Sequence, residues 1–176
     1  MCSTVAASYL DEVQETLKSQ NRNDIFLVDS PVSGGTVRAS EGTLTIMSSG
    51  SEAALEKGKI LQSALSERLV VVPGGIGSAS KVKMVNQLLA GTHIAAAAEA
   101  MGLAATMGLN TQQVFDIIVG AAGNSWMFEN RVPHMLKNDW TPLSAVDIFV
   151  KDLVGSLSIM KFESSNMKSG YCNFIC

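Results

Sequence analysis

The segment Asp29-Ser-Pro-Val-Ser-Gly-Gly35 constrains the fold most, because it joins an apolar run to two adjacent glycines. The apolar residues 25–28 suit a buried strand, and Pro31 should end it, since proline has no N–H for a central ladder. Gly34 and Gly35 lack a Cβ, so their N–H groups can point outward and form a nest for a carboxylate or phosphate beside the Ser33 hydroxyl. An ordinary glycine-rich turn is the competing interpretation.

A second glycine segment, Gly74-Gly-Ile-Gly77, follows an apolar run at 69–72 and opens a helix. At 3.6 residues per turn, Lys83, Asn86 and Gln87 share one face of that helix. The competing interpretation makes Lys83 and Lys81 two solvated charges on the first turn, because lysine is seldom buried. The helix is apolar nearly all round, which predicts a buried helix.

The remaining pattern predicts an α/β region followed by an all-α region. Helical spacing at 6–19 and 51–65 alternates with strand-like runs at 25–28, 43–47 and near 70. Beyond Gly77 only helical periodicity appears, at 83–107, 111–119, 126–136 and 144–160. We therefore predict an α/β part at 1–73, a helical part at 74–160 and a divergent tail at 161–176.

Composition excludes several classes of function. The 176 residues are 47% hydrophobic and 16% charged, with a net charge of −3, and the 13 Lys and Arg form no basic run. Nucleic-acid binding needs a positive surface, so we expect none. The three cysteines lie near the ends without zinc spacing, which predicts no metal site. The first residues lack the pattern of a signal peptide, and no uncharged stretch is long enough for a membrane span, so we expect a cytoplasmic protein without membrane contact.

Together the two glycine segments resemble signatures of the β-hydroxyacid dehydrogenase family. A third region, from Ser125-Trp-Met-Phe128 through Phe149-Val-Lys-Asp-Leu153, is most similar to the family's acid-sugar branch, that of L-threonate dehydrogenase. The resemblance covers residues 1–153. It implies the C-terminal part of a Rossmann-type nucleotide-binding domain, followed by a helical domain like that of 6-phosphogluconate dehydrogenase.

The resemblance also implies roles for individual residues. Lys83 matches the family's catalytic acid/base, with Asn86 beside it, and Lys81 is out of register. A partly desolvated lysine can have its pKa lowered toward the working pH, so that it takes up a hydroxyl proton as hydride departs. The substrate-binding residues would be Ser33, Gly34, Gly35 and Gln87.

The implied cofactor is NAD or NADP, with Thr4 and Lys151 near it. Thr4 as a cap of the following helix and Lys151 as an exposed charge are the alternatives for these two positions. The implied substrate is a 3-hydroxy acid such as L-threonate, and the implied assembly is a homo-oligomer.

Relatives begin with a Gly-x-Gly-x-x-Gly segment that is absent before Thr4, and residues after Leu153 no longer follow the family. We therefore expect a chain truncated at both ends. Three functions are open: a dehydrogenase that is weak or inactive alone, a non-catalytic fragment that associates with full-length subunits, and a module that binds an anion without redox chemistry.

Overall fold

The structure is a computed structural model, and it describes residues 1–141, 148–150 and 152. Contacts divide these residues into two compact units. The first contains Met1–Val85 and the described residues from 148 onward, and the second begins at Asn86. This division falls inside a helix, and the functional boundary at 73/74 stays a prediction.

The first unit is built on a sheet of four strands whose centre is β3 (Leu44–Gly50). The strand β4 (Ser66–Val71) pairs with β3 in parallel, whereas β1 (Val28–Asp29) and β2 (Val32–Ser33) pair with it antiparallel. This mixture of strand and helix confirms the predicted α/β class for the first part of the chain.

The strands β1 and β2 form one continuous register against β3. Val28 lies opposite Gly50 and Ser33 opposite Thr45, with no slip across Pro31. The Pro31 carbonyl still accepts a hydrogen bond from the Met47 N–H at 3.0 Å. Proline therefore removes one bond of the ladder. The strand β1 ends at Asp29, before Pro31, which confirms the predicted strand end, and pairing resumes in the same register at Val32.

The apolar run before Pro31 differs from its prediction. Ile25 and Phe26 are 41% and 40% exposed and precede the strand. The ammonium group of Lys57 lies 3.9 Å from the centre of the Phe26 ring, a cation–π contact that suits an exposed aromatic side chain. Hydrophobicity alone placed the strand too early, because the buried and paired residues are Asp29 and its neighbours.

Three helices accompany the sheet: α1 (Ala7–Ser19), α2 (Gly35–Glu41) and α3 (Glu52–Leu65). The predictions for α1 and α3 are confirmed, and the Ser51 hydroxyl caps α3 by accepting from the Ala54 N–H at 3.2 Å. The short helix α2 was not predicted. It occupies the residues after the glycine pair and ends at Gly42, whose φ of 70° is the left-handed conformation common at helix ends.

The helical region contains α4 (Ser78–Thr106), α5 (Thr111–Val119) and α6 (Trp126–Leu136). Asn110 and Ser125 cap α5 and α6 with their side-chain oxygens, and both helices match their predicted bounds. The core of the second unit joins Ala97 and Met101 of α4 to Phe128 and Val132 of α6. The helix predicted at 144–160 lies largely outside the described residues, of which 148–150 and 152 are helical.

The long helix α4 is less buried than its composition predicted. Val85, Leu89 and Leu103 are 61%, 52% and 61% exposed, so the expectation of a helix buried all round is wrong for this chain. By length and composition alone α4 is also apolar enough to cross a membrane, but the core helices of soluble proteins pass the same test. This property is weak evidence on location.

Candidate active site

The start of α4 is held by a buried carboxylate from the sheet. Asp29 is 0% exposed, and its Oδ2 accepts from the backbone N–H of Ser80 at 2.8 Å while its Oδ1 accepts from the Ser80 hydroxyl at 2.7 Å. The Ser49 hydroxyl donates to Asp29 at 3.3 Å and accepts from the Ala79 N–H at 3.0 Å. Strand residues therefore satisfy N–H groups that the first turn of a helix leaves without partners.

A second set of buried polar groups lies beside this one. The Gln62 amide of α3 donates to the hydroxyls of Ser30 at 2.5 Å and Ser48 at 2.8 Å. All three side chains are buried. A buried polar group is costly without a partner, so this layer fixes how α3 lies on the sheet.

Lys83 is buried, whereas Lys81 is exposed. Burial lowers the pKa of the Lys83 ammonium below its ordinary value, and the negative charge of Asp152 opposes part of that shift. Asp152 is itself only 3% exposed. For Lys83, the interpretation as a solvated charge on a first turn is therefore wrong.

Asn86 and Gln87 follow Lys83 on α4, at i+3 and i+4. The Asn86 amide donates to the Gln87 Oε1 at 3.1 Å, and Gln87 is buried while Asn86 is half-buried. Each side-chain amide carries both a donor and an acceptor, which suits orienting a hydroxyl or carboxylate. Their roles stay predictions.

The glycine pair has positive φ at both positions, and the anion nest stays a prediction. Gly34 has φ +140° and Gly35 has φ +70°, both in the region that glycine adopts most readily. Ser33 and Gly34 are half-buried, and Gly35 is exposed. The sheet links this segment to α4. Ser33 adjoins the glycine pair, Asp29 bonds the start of α4, and both residues pair with β3 in the same register.

We expect alanine to be far more costly at Gly34 than at Gly35. A Cβ on Gly34 would lie 2.8 Å from the Arg38 Cβ and 3.2 Å from the Leu44 Cδ2, whereas one on Gly35 would meet nothing within 4 Å. Gly34→Ala should lower the free energy of unfolding by about 2–4 kcal/mol from strain and overpacking. The conformational penalty at Gly35→Ala should be about 1 kcal/mol. Urea denaturation measures both, and equal losses would contradict the close packing at Gly34.

Two family models match adjacent parts of the chain. One, described as the NAD binding domain of 6-phosphogluconate dehydrogenase, matches residues 1–77. The other, described as NAD-binding of NADP-dependent 3-hydroxyisobutyrate dehydrogenase, matches residues 77–170, more than half of the 176. The chain belongs to the β-hydroxyacid dehydrogenase family. In this family a Rossmann-type nucleotide-binding domain precedes a helical domain, so the predicted fold class is confirmed.

Named members of the β-hydroxyacid dehydrogenase family agree with this assignment. The chain is 48% identical over 151 residues to L-threonate dehydrogenase of Cupriavidus necator and 46% identical to that of Escherichia coli. These matches cover 86% of the chain but 50% and 49% of the relatives. The chain thus spans about half the length of the curated relatives it matches.

Solved structures of the family match the fold as well. A structure of 3-hydroxyisobutyrate dehydrogenase from Salmonella typhimurium is 45% identical, with a TM-score of 0.83, and the match covers 92% of this chain and 56% of that one. The Mycobacterium tuberculosis 3-hydroxyisobutyrate dehydrogenase is 26% identical, with a TM-score of 0.79 over 96% and 58% of the two chains.

The structure describes one of the two residues that the family resemblance places near the cofactor. Thr4 is half-buried, and Ala6 rather than Thr4 occupies the N-cap position of α1. Lys151 lies outside the described residues. The cofactor roles of both residues stay predictions.

Sequence reasoning missed two carboxylates of this dehydrogenase-family chain. Asp29 opened the first glycine segment but received no role, and Asp152 follows Lys151 directly. A signal was present for Asp29, because an aspartate inside an apolar strand needs buried donors. No local signal pointed to Asp152, whose relation to Lys83 depends on the fold. In the part of the chain described, no three His, Cys, Asp or Glu side chains cluster as a metal site would require.

Proposed function

We propose that the protein is an NAD(P)-dependent dehydrogenase that oxidises a 3-hydroxy acid, with a four-carbon acid sugar such as L-threonate as the substrate class. The observation that carries the proposal is the buried Lys83, whose pKa is lowered by burial while the charge of Asp152 opposes the shift. The L-threonate dehydrogenases that match 86% of the chain support the substrate class.

Lys83 would act as the acid/base. In the oxidation, the neutral amine takes the proton of the substrate hydroxyl, the O–H bond breaks, and the carbon–oxygen bond becomes a carbonyl as hydride leaves the same carbon. Bound NAD(P)+ supplies the hydride acceptor. Reduction reverses the transfer, and the Lys83 ammonium returns the proton.

The remaining candidate residues would hold the substrate. The N–H groups of Gly34 and Gly35, with the Ser33 hydroxyl, would bind its carboxylate, and Asn86 and Gln87 would orient its hydroxyls. Positive φ at both positions favours glycine, which lets a ligand approach the backbone N–H groups closely. Thr4 and Lys151 are the positions we expect near the cofactor, and the choice between NAD and NADP is open.

Titration of the purified chain with NADH tests the proposal, with cofactor fluorescence as the signal and L-threonate absent and then present. We expect saturable binding that tightens with a substrate-sized acid, because both ligands share one site. The enantiomer D-threonate is the matched control. Absence of binding at millimolar NADH would contradict an autonomous dehydrogenase.

A second candidate is a non-catalytic fragment that associates with full-length dehydrogenase subunits. The exposed apolar side chains of α4, among them Val85, Leu89 and Leu103, favour it. Co-purification with a full-length relative, in the absence of NADH binding by the chain alone, would support this candidate. Self-association and a cytoplasmic location stay predictions in either case.

A further inference from the structure

The geometry assigns Asp29 as a positioning residue, whose buried carboxylate fixes the first turn of α4 and thereby holds Lys83 in its buried place. The inference rests on the proposed role of Lys83 as acid/base. It adds a residue that does not itself contact substrate or cofactor. Four observations carry it.

The first observation is the number of bonds at one carboxylate. Both oxygens of Asp29 accept from Ser80, one from its N–H and the other from its hydroxyl. The Ser49 hydroxyl adds a third donor and bridges to the Ala79 N–H. Three donors on one buried carboxylate leave it little freedom to move, and the same bonds leave Ser80 little freedom.

The second observation is that the residue before α4, Gly77, has no side chain to cap the helix. The first bond of the helix runs from the Lys81 N–H to the Gly77 carbonyl at 3.0 Å, which places Gly77 at the cap position. A Cβ on Gly77 would lie 3.1 Å from the Ala7 Cβ, and its φ is +82°. A capping serine or aspartate therefore does not fit there, and the cap comes from the sheet instead.

The third observation is electrostatic. The N-terminal end of a helix carries a partial positive charge, which a carboxylate stabilises most strongly when both are out of water. Asp29, Ser49 and Ser80 are each 0% exposed. Solvent therefore screens little of the attraction between Asp29 and the start of α4.

The fourth observation is the spacing between Ser80 and Lys83. They are three residues apart, so they lie one above the other on the same face of α4. If the first turn of α4 unwinds at Ser80, the next turn becomes the end of the helix. Its N–H groups then lack helical partners, and the turn is more open to solvent. The burial of the Lys83 side chain then depends on the hydrogen bonds that Asp29 accepts.

Competitive labelling tests this inference without using turnover. A trace of acetic anhydride acetylates neutral lysine amines, and peptide mass spectrometry at a series of pH values gives a titration midpoint and a reactivity for each lysine. Lys81 is the internal control, because it lies two residues away and is exposed. The variants are Asp29→Asn and Ser80→Ala, with Asp24→Asn as an exposed control.

We expect Lys83 in the unsubstituted chain to titrate below the ordinary lysine value and, once neutral, to react at least tenfold more slowly than the exposed Lys81. In Asp29→Asn the Lys83 midpoint should rise toward the ordinary lysine value and its reactivity should increase at least threefold, since burial is lost. Ser80→Ala should shift both in the same direction by less. Asp24→Asn should shift neither.

The positioning role is contradicted if the Lys83 midpoint moves in the opposite direction. If Asp29 acted on Lys83 only through its charge, removing that charge would lower the Lys83 midpoint, and such a fall would overturn the positioning role. An unchanged midpoint and reactivity in Asp29→Asn and Ser80→Ala would overturn it as well. Circular dichroism checks folding, and Ser80→Ala decides the matter if Asp29→Asn unfolds.

If the proposed function is wrong, the labelling and NADH-binding experiments give a different combination of results. If Lys83 titrates at the ordinary lysine value in the unsubstituted chain, the shifted lysine on which the dehydrogenase proposal depends is absent, and the inference falls with it. If Lys83 is shifted and responds to Asp29→Asn while NADH does not bind, the positioning role stands and the autonomous enzyme does not.

Discussion

Replacement of Lys83 by methionine is expected to lower turnover of a 3-hydroxy acid by about 10²–10⁴-fold, the usual contribution of a positioned general acid or base. Methionine has a similar length and no amine, so it fills much of the same buried space without accepting a proton. The reason for the large effect is that Lys83 is buried and has a lowered pKa, which places more of the neutral amine at working pH.

Lys81→Met is the matched control. Lys81 is exposed on the same helix, so its loss should change turnover by less than about twofold, like most surface substitutions. The rate of NADH formation from L-threonate measures both variants. Equal losses in the two variants would contradict the assignment of Lys83, and a large loss in Lys81→Met alone would transfer the role to Lys81.

The pH dependence of the unsubstituted protein belongs to the same prediction. Oxidation needs the neutral amine, so its rate should rise with pH through a midpoint below the ordinary lysine pKa, and reduction should show the opposite trend. The Asp152 charge raises the pKa of Lys83. Asp152→Asn should therefore move both midpoints to lower pH.

The lowered pKa of Lys83 also makes the free energy of unfolding depend on pH. The folded-state pKa of Lys83 lies below the unfolded value, so between the two the unfolded chain binds more protons. The free energy of unfolding should rise with pH in that window, by up to about 1.4 kcal/mol per pH unit. The penalty is complete below the folded pKa and vanishes above the unfolded one. Lys83→Met should remove this slope.

Loss of the Asp29 carboxylate is expected to lower the free energy of unfolding strongly. In Asp29→Ala the Ser80 N–H, the Ser80 hydroxyl and the Ser49 hydroxyl all lose their acceptor in a site closed to water. Hydroxyls can turn to other partners, but a buried N–H without one costs about 1–3 kcal/mol. With the lost helix cap, the free energy of unfolding should fall by about 2–4 kcal/mol.

Asp24→Ala controls for the loss of an aspartate. Asp24 pairs with Arg22 through two 2.9 Å bonds, but both side chains are more than half exposed, so water screens the pair and Asp24→Ala should change the free energy of unfolding little. Urea denaturation followed by circular dichroism measures both variants. Losses of similar size would mean that the buried network around Asp29 does not stabilise the start of α4.

Local chemistry explains which parts of the fold the sequence predicts well. Ser51, Asn110 and Ser125 are capping residues next to helical patterns, and the helices that follow them begin where predicted. Long-range contacts explain the misses. The missing N–H of Pro31 is local information and predicts the end of β1, whereas the pairing of β2, which resumes at Val32, depends on the distant strand β3.

In the candidate site, too, local sequence predicts some features and misses those that depend on long-range contacts. The family resemblance selected Lys83 over Lys81, but only the folded chain shows one lysine buried and the other exposed. Asp29 and Ser80 are 51 residues apart, so no window of sequence pairs them. The glycine pair is the intermediate case, because glycine predicts positive φ but not the helix α2 that follows.

The cap that β1 provides for α4 has a consequence for how this protein folds. An isolated peptide of residues 78–106 would have a frayed beginning, because Gly77 offers no side chain and the carboxylate is on a distant strand. The first turn of α4 therefore belongs to the same cooperative unit as the sheet. Amide exchange at Ala79 and Ser80 should accordingly follow the opening of β1 and β3 rather than the unwinding of the helix.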